Sequence, residues 1–448
     1  MSTEHSPRTR GLSRRDLLRR GAVATAVASL GVAGIAGNAS ATKPKDAIPI
    51  DGPTTITEPG YYVLTKDIVA TDEGSIIDID PFENEPFGLG DVTIDGCGYT
   101  LDGDRKAEYG ISLIAYPDAS LTNLTIKDVC VTRCTWAGIQ IEEVRSGLIE
   151  NVTVTRCGSE FSLGAITYLQ NSNVTLRDSL IKNNRNSGIY TTEGGRNNVF
   201  VRNRVTRNGS IGFIDEGSDF LFKDNKFDHN KYGLSLGVTN VRPMVVDNLF
   251  YKNGAGIEAD FIIDAVIRGN RLVKNGEYGI TLFDTAGVTI EKNEIHRTNG
   301  PGIILSSIFA FGENNISKNT ITHNSGPGIV SRQVNIDSDP RTNTVIEKNT
   351  IEYNGDGGVQ LTESNIFEII KNTIRNNDGD GIELRDSDDN VIRKNVIKGN
   401  AGLPIRIDDE STGNVVEKNK TSGSGADHDS KDNDQNDGDE EICRVDSH

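Results

Sequence analysis

Six carboxylates in the middle of this 448-residue chain, Glu193, Asp215, Glu216, Glu258, Asp260 and Asp284, follow short Gly-plus-apolar steps and are candidates for acid–base chemistry. Cleaving a glycosidic bond takes two carboxyl groups, about 5.5 Å apart for a covalent intermediate and about 6.5–9.5 Å apart where a water must fit between them. On stacked strands about 4.8 Å apart, neighbouring rungs approach the first separation and alternate rungs the second. Arg332 and Arg385 follow the same step later in the chain and are candidates for contacting acidic sugars, while Trp136, Tyr168 and Tyr190 are candidates for stacking on sugar rings. The competing reading is a solvated acidic face, which a strongly acidic chain carries somewhere.

Metal chemistry has less to draw on. After residue 41 the chain has one methionine, Met244, and five histidines, His229, His296, His323, His428 and His448, in no spacing that suits copper, so no metal ligand is assigned. The stretch "DNDQNDGDEE" is like a calcium loop, but Asp437 stands where the turn glycine belongs, and diffuse cation binding is all it suggests.

A repeat must position these residues. The Gly-plus-apolar step recurs at Gly110, Gly138, Gly164, Gly188, Gly212, Gly233, Gly256, Gly279, Gly302, Gly328, Gly358 and Gly381, with Pro404 in the last copy, at intervals of 21 to 30 residues. A period in that range means a solenoid. Apolar and polar residues alternate after each step, as in Ile280-Thr281-Leu282, so each unit predicts short strands with one face inward. Between steps runs the hexad N-x-[apolar]-x-x-N, at Asn203/Asn208, Asn225/Asn230, Asn248/Asn253, Asn270/Asn275, Asn319/Asn324, Asn349/Asn354, Asn372/Asn377 and Asn395/Asn400. A version with one inserted residue, Thr298, joins Asn293 to Asn299. Asparagine tolerates the left-handed conformation a corner needs, and its amide both donates and accepts, so the asparagines are expected to build corner ladders rather than a binding site. A leucine-rich repeat also has an asparagine ladder, but it needs a leucine-dominated pattern, and isoleucine and valine prevail here. The expected fold is all-β, a single-stranded parallel β-helix of about 13 rungs. Cys134 and Cys157 stand where later copies have the second asparagine, within reach of a disulfide or as two small buried thiols.

Residues 1–41 read as an export signal: paired Arg14 and Arg15, an apolar run from about Gly21 to Gly37, and a small-residue cleavage site ending at Ala41. The double arginine points to the twin-arginine route and an extracellular location. Residues 42–90 then form leader strands and a cap, 91–420 the repeats, and 421–448 an acidic tail of disordered composition. Nothing after residue 41 is long and apolar enough to span a bilayer. Without the six arginines and two acids of the leader, 41 basic residues face 63 acidic ones. That balance excludes nucleic acid as a partner and suits the screened surface of a protein from a high-salt habitat.

Over residues 98–420 the tandem pattern, together with "DVTIDGCGYTLDG" at 91–103 and "TTITEPGYYVLTKDI" at 54–68, resembles the right-handed parallel β-helix proteins of the pectin-lyase-like fold. In particular it is similar to the NosD-type, periplasmic copper-binding, group and to the carbohydrate-binding and sugar-hydrolase repeat class. The resemblance implies an extracellular polysaccharide as ligand, bound and in some members processed, or else a non-catalytic scaffold that binds a protein. The linked Asp-Asp and Gly-His-Gly motifs of polygalacturonases and the Asp-Pro-His stretch of alginate epimerases are missing, and "DSDPRTN" at 337–343 is only superficially similar to the latter. Fold alone does not decide between these functions.

Overall fold

The computed structural model describes residues 44–81, 89–114, 121–237, 241–306, 314–334, 343–422 and 443–444. The export signal with Arg14, Arg15 and Ala41, the calcium-like stretch, His428, His448 and most of residues 337–343 lie outside the described residues.

From Asp46 onward the chain winds through three parallel sheets. The first sheet has sixteen strands running from Ile48–Ile50 to Val415–Glu417, the second has fifteen from Ile68–Val69 to Lys420–Ser422, and the third has sixteen from Thr54–Ile56 to Cys443–Arg444. One turn visits all three: Thr344–Glu347, then Thr350–Glu352, then Val359–Thr362. There are thus about fifteen turns rather than 13. The additional ones come from the leader, whose strands lack the asparagine hexad yet pair in parallel, Ile48 with Tyr62 and Thr54 with Ile77. At about 4.8 Å per turn the stack is roughly 70 Å long.

The stack is held from inside by apolar files. Ile257, Ile280, Ile303, Ile329, Val359, Ile382 and Ile405 pair in succession and are all fully buried. Each such side chain contributes about 1.5–3 kcal/mol relative to exposure. Where the files turn aromatic, the rings keep the register: Phe200 stacks on Phe222 at 5.2 Å and Phe227 on Phe250 at 5.0 Å. The repeat glycine precedes these files because there is no room for a side chain. A Cβ on Gly358 would come within 2.3 Å of Ile374 Cγ2 and 2.5 Å of the Gly381 carbonyl oxygen. One glycine was aligned a residue early: Ile139 pairs with Ile166 and Ile166 with Ile189, so Ala165, not Gly164, fills the file between Gly138 and Gly188.

The hexads do form two corner ladders. Asn349 Nδ2 and backbone N both donate to Asn372 Oδ1, at 3.0 and 2.9 Å, while Nδ2 also donates to the Ile316 carbonyl at 2.8 Å. Earlier in this first ladder Asn203, Asn225, Asn248, Asn270 and Asn293 are joined in order by the same amide bond. The second ladder repeats the pattern from Asn354 to Asn377, and from Asn208 through Asn230 and Asn253 to Asn275. Its earlier amide bonds are longer, 3.3 Å at each of those three steps. Asn400 accepts from Asn377 N and Nδ2 at 3.0 and 2.9 Å and closes the described part of this ladder, only half-buried where the others are buried.

The expectation that the asparagines themselves take the left-handed conformation is wrong; their predecessors do. Lys348 and Tyr353 have φ of 56°, Lys371 55° and Asn376 54°. Asn208, Asn230, Asn253 and Asn400 are corrected in the same way, since the positive φ falls on Arg207 at 54°, His229 at 59°, Lys252 at 53° and Gly399 at 62°. The asparagine side chain is spent inward on the ladder, so the backbone reversal falls on the residue before it. The variant unit also differs from expectation. Thr298 N donates to Asn324 Oδ1, which puts Thr298 rather than Asn299 in the ladder, and its buried Oγ1 has no partner.

Substituting Thr298 by asparagine supplies an Oδ1 where Asn275 expects one, and should raise stability by about 1 kcal/mol. Asn349→Ala strips acceptors from Asn319 N and Nδ2 and a donor from the Ile316 carbonyl, and should cost about 3 kcal/mol or more. Chemical denaturation of the two variants beside the parent measures both, and an unchanged midpoint in Asn349→Ala would refute the ladder's role.

Candidate functional site

Outward residues of the third sheet line up by the same register. Two residues after the glycine, one file runs Tyr190, Ile214, Ser235, Glu258, Thr281, Ile304, Val330, Gln360, Glu383, Arg406. Two residues further along, a second file carries Asp260, Phe283, Ser306, Arg332, Thr362 and Arg385. Glu216 falls in this file too, following the Asp215–Leu236 pair, with Gly237 between it and Asp260.

The structure sorts the six carboxylates. Asp215 is not an outward group at all: it occupies an inward position, fully buried, and accepts from Thr191 Oγ1 and Gly217 N, both at 2.9 Å. It shapes the turn and has no access to a ligand. Glu193 and Asp284 lie one residue past the second file, and Asp284 has φ of 47° in the turn that follows its strand. Glu216, Glu258 and Asp260 remain as partly exposed groups on one surface.

Around Glu258 the surroundings converge. Tyr278 Oη donates to its Oε1 at 3.3 Å and Ser235 Oγ to its Oε2 at 3.4 Å. Tyr232 and Tyr278 each precede a repeat glycine and stand two turns apart, with the fully buried Ala255 at the same place in the turn between them. Burial and the charge of Glu258 raise the phenol pKa of both tyrosines, so they remain hydrogen-bond donors. On the same strand as Glu258, burial pushes the Asp260 carboxyl up to about 6, helped by the charges of Glu258 and Asp284. Glu258 and Asp260 are alternate residues of one strand, about 6.6 Å apart along the backbone, and both face outward. Toward the start of the chain, Tyr190 Oη donates to Glu216 Oε2 at 3.1 Å, and burial, then Glu216, raises that phenol to about 12.

The aromatic and basic candidates divide as well. Tyr168 is no sugar platform: it faces the core, fully buried, edge-on to Phe200 at 5.6 Å, and its hydroxyl has no partner. Trp136 is exposed but lies five turns from Glu258, about 24 Å away. Arg332 stands three turns above Asp260, and Arg385 is held by Glu383 at 2.7 Å. Neither joins the carboxylate cluster.

Tyr232, Tyr278, Ser235 and Phe261 were not anticipated. The tyrosines carry a readable sign, "KYGL" and "EYGI", a tyrosine directly before the repeat glycine. Phe261 carries none. It adopts φ of 54° with its ring 45% exposed, edge-on to Phe283 at 5.5 Å, and Ile263 beside it is 46% exposed. The left-handed φ is the ordinary corner of this repeat, shared by Glu143, Gln170, Asp284, Gln333, Glu363 and Asp386 at the equivalent place in other turns, and what sets Phe261 apart is the exposed aromatic side chain.

The profile described as "Right handed beta helix region" matches residues 109–261 and 306–436. The chain belongs to this right-handed β-helix family. The profile described as "Periplasmic copper-binding protein (NosD)" matches residues 208–337 of the helix, consistent with a NosD-type repeat protein. No curated protein sequence matches. Solved structures similar to this β-helix include a double mutant of the periplasmic alginate epimerase, at 14% identity over 67% of this chain and 77% of that one, TM-score 0.42. The catalytic unit of a thermostable α-1,3-glucanase from Streptomyces thermodiastaticus has 14% identity, 86% and 70% coverage and TM-score 0.47. A surface adhesin of Streptococcus pneumoniae has 13% identity, 63% and 82% coverage and TM-score 0.44.

Among the described residues no three His, Cys, Asp or Glu side chains gather as a metal site. His229 Nδ1 bonds Asp228 at 3.0 Å, and His323 lies on the Tyr353 ring at 5.2 Å. Among the described residues no helix is long and apolar enough to cross a membrane.

Asp260 gives a pH test. The folded protein keeps its proton up to about pH 6, whereas the unfolded chain releases it near 3.8. Asp260 therefore detracts nothing below about pH 4 and destabilises the fold as pH rises from there through 6. Asp260→Asn should then gain on the order of 1 kcal/mol over the parent at pH 8, after allowance for solvent screening, and nothing at pH 4. Denaturation curves at both pH values measure it, and equal differences at the two would contradict the assignment.

Proposed function

We propose that this β-helix, exported by the twin-arginine route, binds a neutral polysaccharide outside the cytoplasm along the third sheet's outer face. Sugar rings would pack against the partly exposed Tyr232 and Tyr278, with Phe261 as an apolar platform and Glu216, Glu258 and Ser235 hydrogen-bonding hydroxyl groups. The observation that carries this reading is the convergence on one small surface of two donor tyrosines, an exposed aromatic and the carboxyl pair Glu258 and Asp260. A polyuronate would meet repulsion from Glu216, Glu258, Asp260 and Asp284, which favours a neutral chain.

The same pair supports hydrolysis in its inverting form. Asp260, which its raised pKa of about 6 keeps protonated in mild acid, is suited to donate to the leaving oxygen there, and Glu258 to draw a proton from water. A second reading, a non-catalytic scaffold that binds a protein, draws support from the adjacent exposed Phe261 and Ile263.

A panel of neutral and acidic polysaccharides, assayed for binding and for reducing ends, tests these readings. Tyr278→Ala should weaken neutral-glycan binding at least tenfold, and Asp260→Asn should abolish turnover while binding persists. Turnover unaffected by Asp260→Asn rejects the hydrolytic form, and no glycan bound by the parent favours the scaffold.

A further inference from the structure

Cys134 and Cys157 occupy one file at the corner where the second asparagine ladder begins. Val131 pairs with Val154 and Thr132 with Thr155, which places the two cysteines directly above one another in adjacent turns. Parallel neighbours lie about 4.8 Å apart at Cα, inside the range a disulfide spans. Both side chains point inward and are fully buried. Each sulfur lies against the carbonyl two residues before it, Cys134 Sγ at 3.7 Å from Thr132 and Cys157 Sγ at 3.4 Å from Thr155, so the side chains share one orientation. The next turn holds Asn184, whose Oδ1 accepts from Cys157 N at 3.0 Å. The amide ladder therefore runs up to the cysteines and stops.

We infer that Cys134 and Cys157 form an inter-rung disulfide that replaces the missing asparagine bonds at the start of this ladder. The other cysteines offer no competing pair by register. Cys130 aligns with Thr100 and Thr153, Cys97 sits in a turn with φ of 51°, and Cys443 pairs beside Arg406 at the far end of the stack. The bond forms by thiol–disulfide exchange with a disulfide oxidant. One cysteine thiolate attacks it, releasing a thiol and leaving a mixed disulfide; the second displaces the remaining half, so two electrons and two protons pass to the oxidant. Because both thiols are out of solvent in the finished fold, exchange belongs to the stage before these turns close. The cross-link confines the open chain between them and so favours the folded state.

The test refolds the purified chain in a glutathione redox buffer, alkylates it in denaturant without reductant, and maps the peptides. The expected result is three labelled thiols of the five, with Cys134 and Cys157 recovered in one cross-linked species. Reductant should lower the thermal midpoint of this protein by several degrees. A Cys134→Asn/Cys157→Asn variant, which extends the ladder instead, should fold and ignore reductant. Five labelled thiols, or a cross-link involving Cys97 or Cys130, would overturn the inference, and the parent's map decides it even where the variant fails to fold.

Discussion

A parallel backbone hydrogen bond from one turn to the next fixes each residue about 4.8 Å from its counterpart, and it does so without regard to side chains. Isoleucine can follow isoleucine along the inside only because of that indifference, and the outer face inherits the same spacing. Glu258 lies between Ser235 and Thr281, and Tyr232 two turns from Tyr278, because backbone pairing places them there. Insertions between strands leave this spacing untouched. The interval from Gly328 to Gly358 is longer than its neighbours, yet Ile329 still pairs with Val359.

Corners are the weak point of such a stack, since three reversals per turn bury backbone groups that no strand satisfies. The asparagines answer this by bonding to the turns on both sides. Asn372 accepts from Asn349 and donates to the Ile346 carbonyl and to Asn395. A ladder of this kind is satisfied only as long as it continues, which gives its ends and gaps more importance than its middle. Thr298 is such a gap, with an unpartnered hydroxyl, and Cys134 and Cys157 stand at an end.

Much of this was legible because it repeats. The hexad and the Gly-apolar step gave the solenoid, its strands and its corner ladders. What could not be read is whatever depends on parity within one strand. Tyr168 and Asp215 sit a single residue from outward positions, and a one-residue shift exchanges core for surface. The slip at Gly164 arose in the same way, since Ala165 is small enough to take the glycine's place. At the corners the error was also one residue: Asn208, Asn230 and Asn253 supply the ladder, while Arg207, His229 and Lys252 before them make the reversal. The leader strands were expected over residues 42–90 but not as turns of the same stack, because they pair without the asparagine hexad. Phe261 escaped because its exposure comes from a left-handed turn, which its sequence neighbours do not announce.

The acidic surface poses the remaining problem, since most carboxylates on it are hydrated charges or local ion-pair partners such as Glu352 with Arg375. Asp260 differs from them in kind. It is partly buried beside two other acids, an arrangement that costs stability above pH 6 and contributes nothing to the stack. Substitutions that would relieve it are simple, because the outward file tolerates serine, threonine and phenylalanine in other turns. The same holds for Phe261, whose exposed ring a polar residue could replace, as Asp284 does one turn on. A destabilising carboxyl at the end of a strand and an exposed aromatic side chain at the corner next to it, neither required by the fold, are the physical basis for locating function at this part of the face.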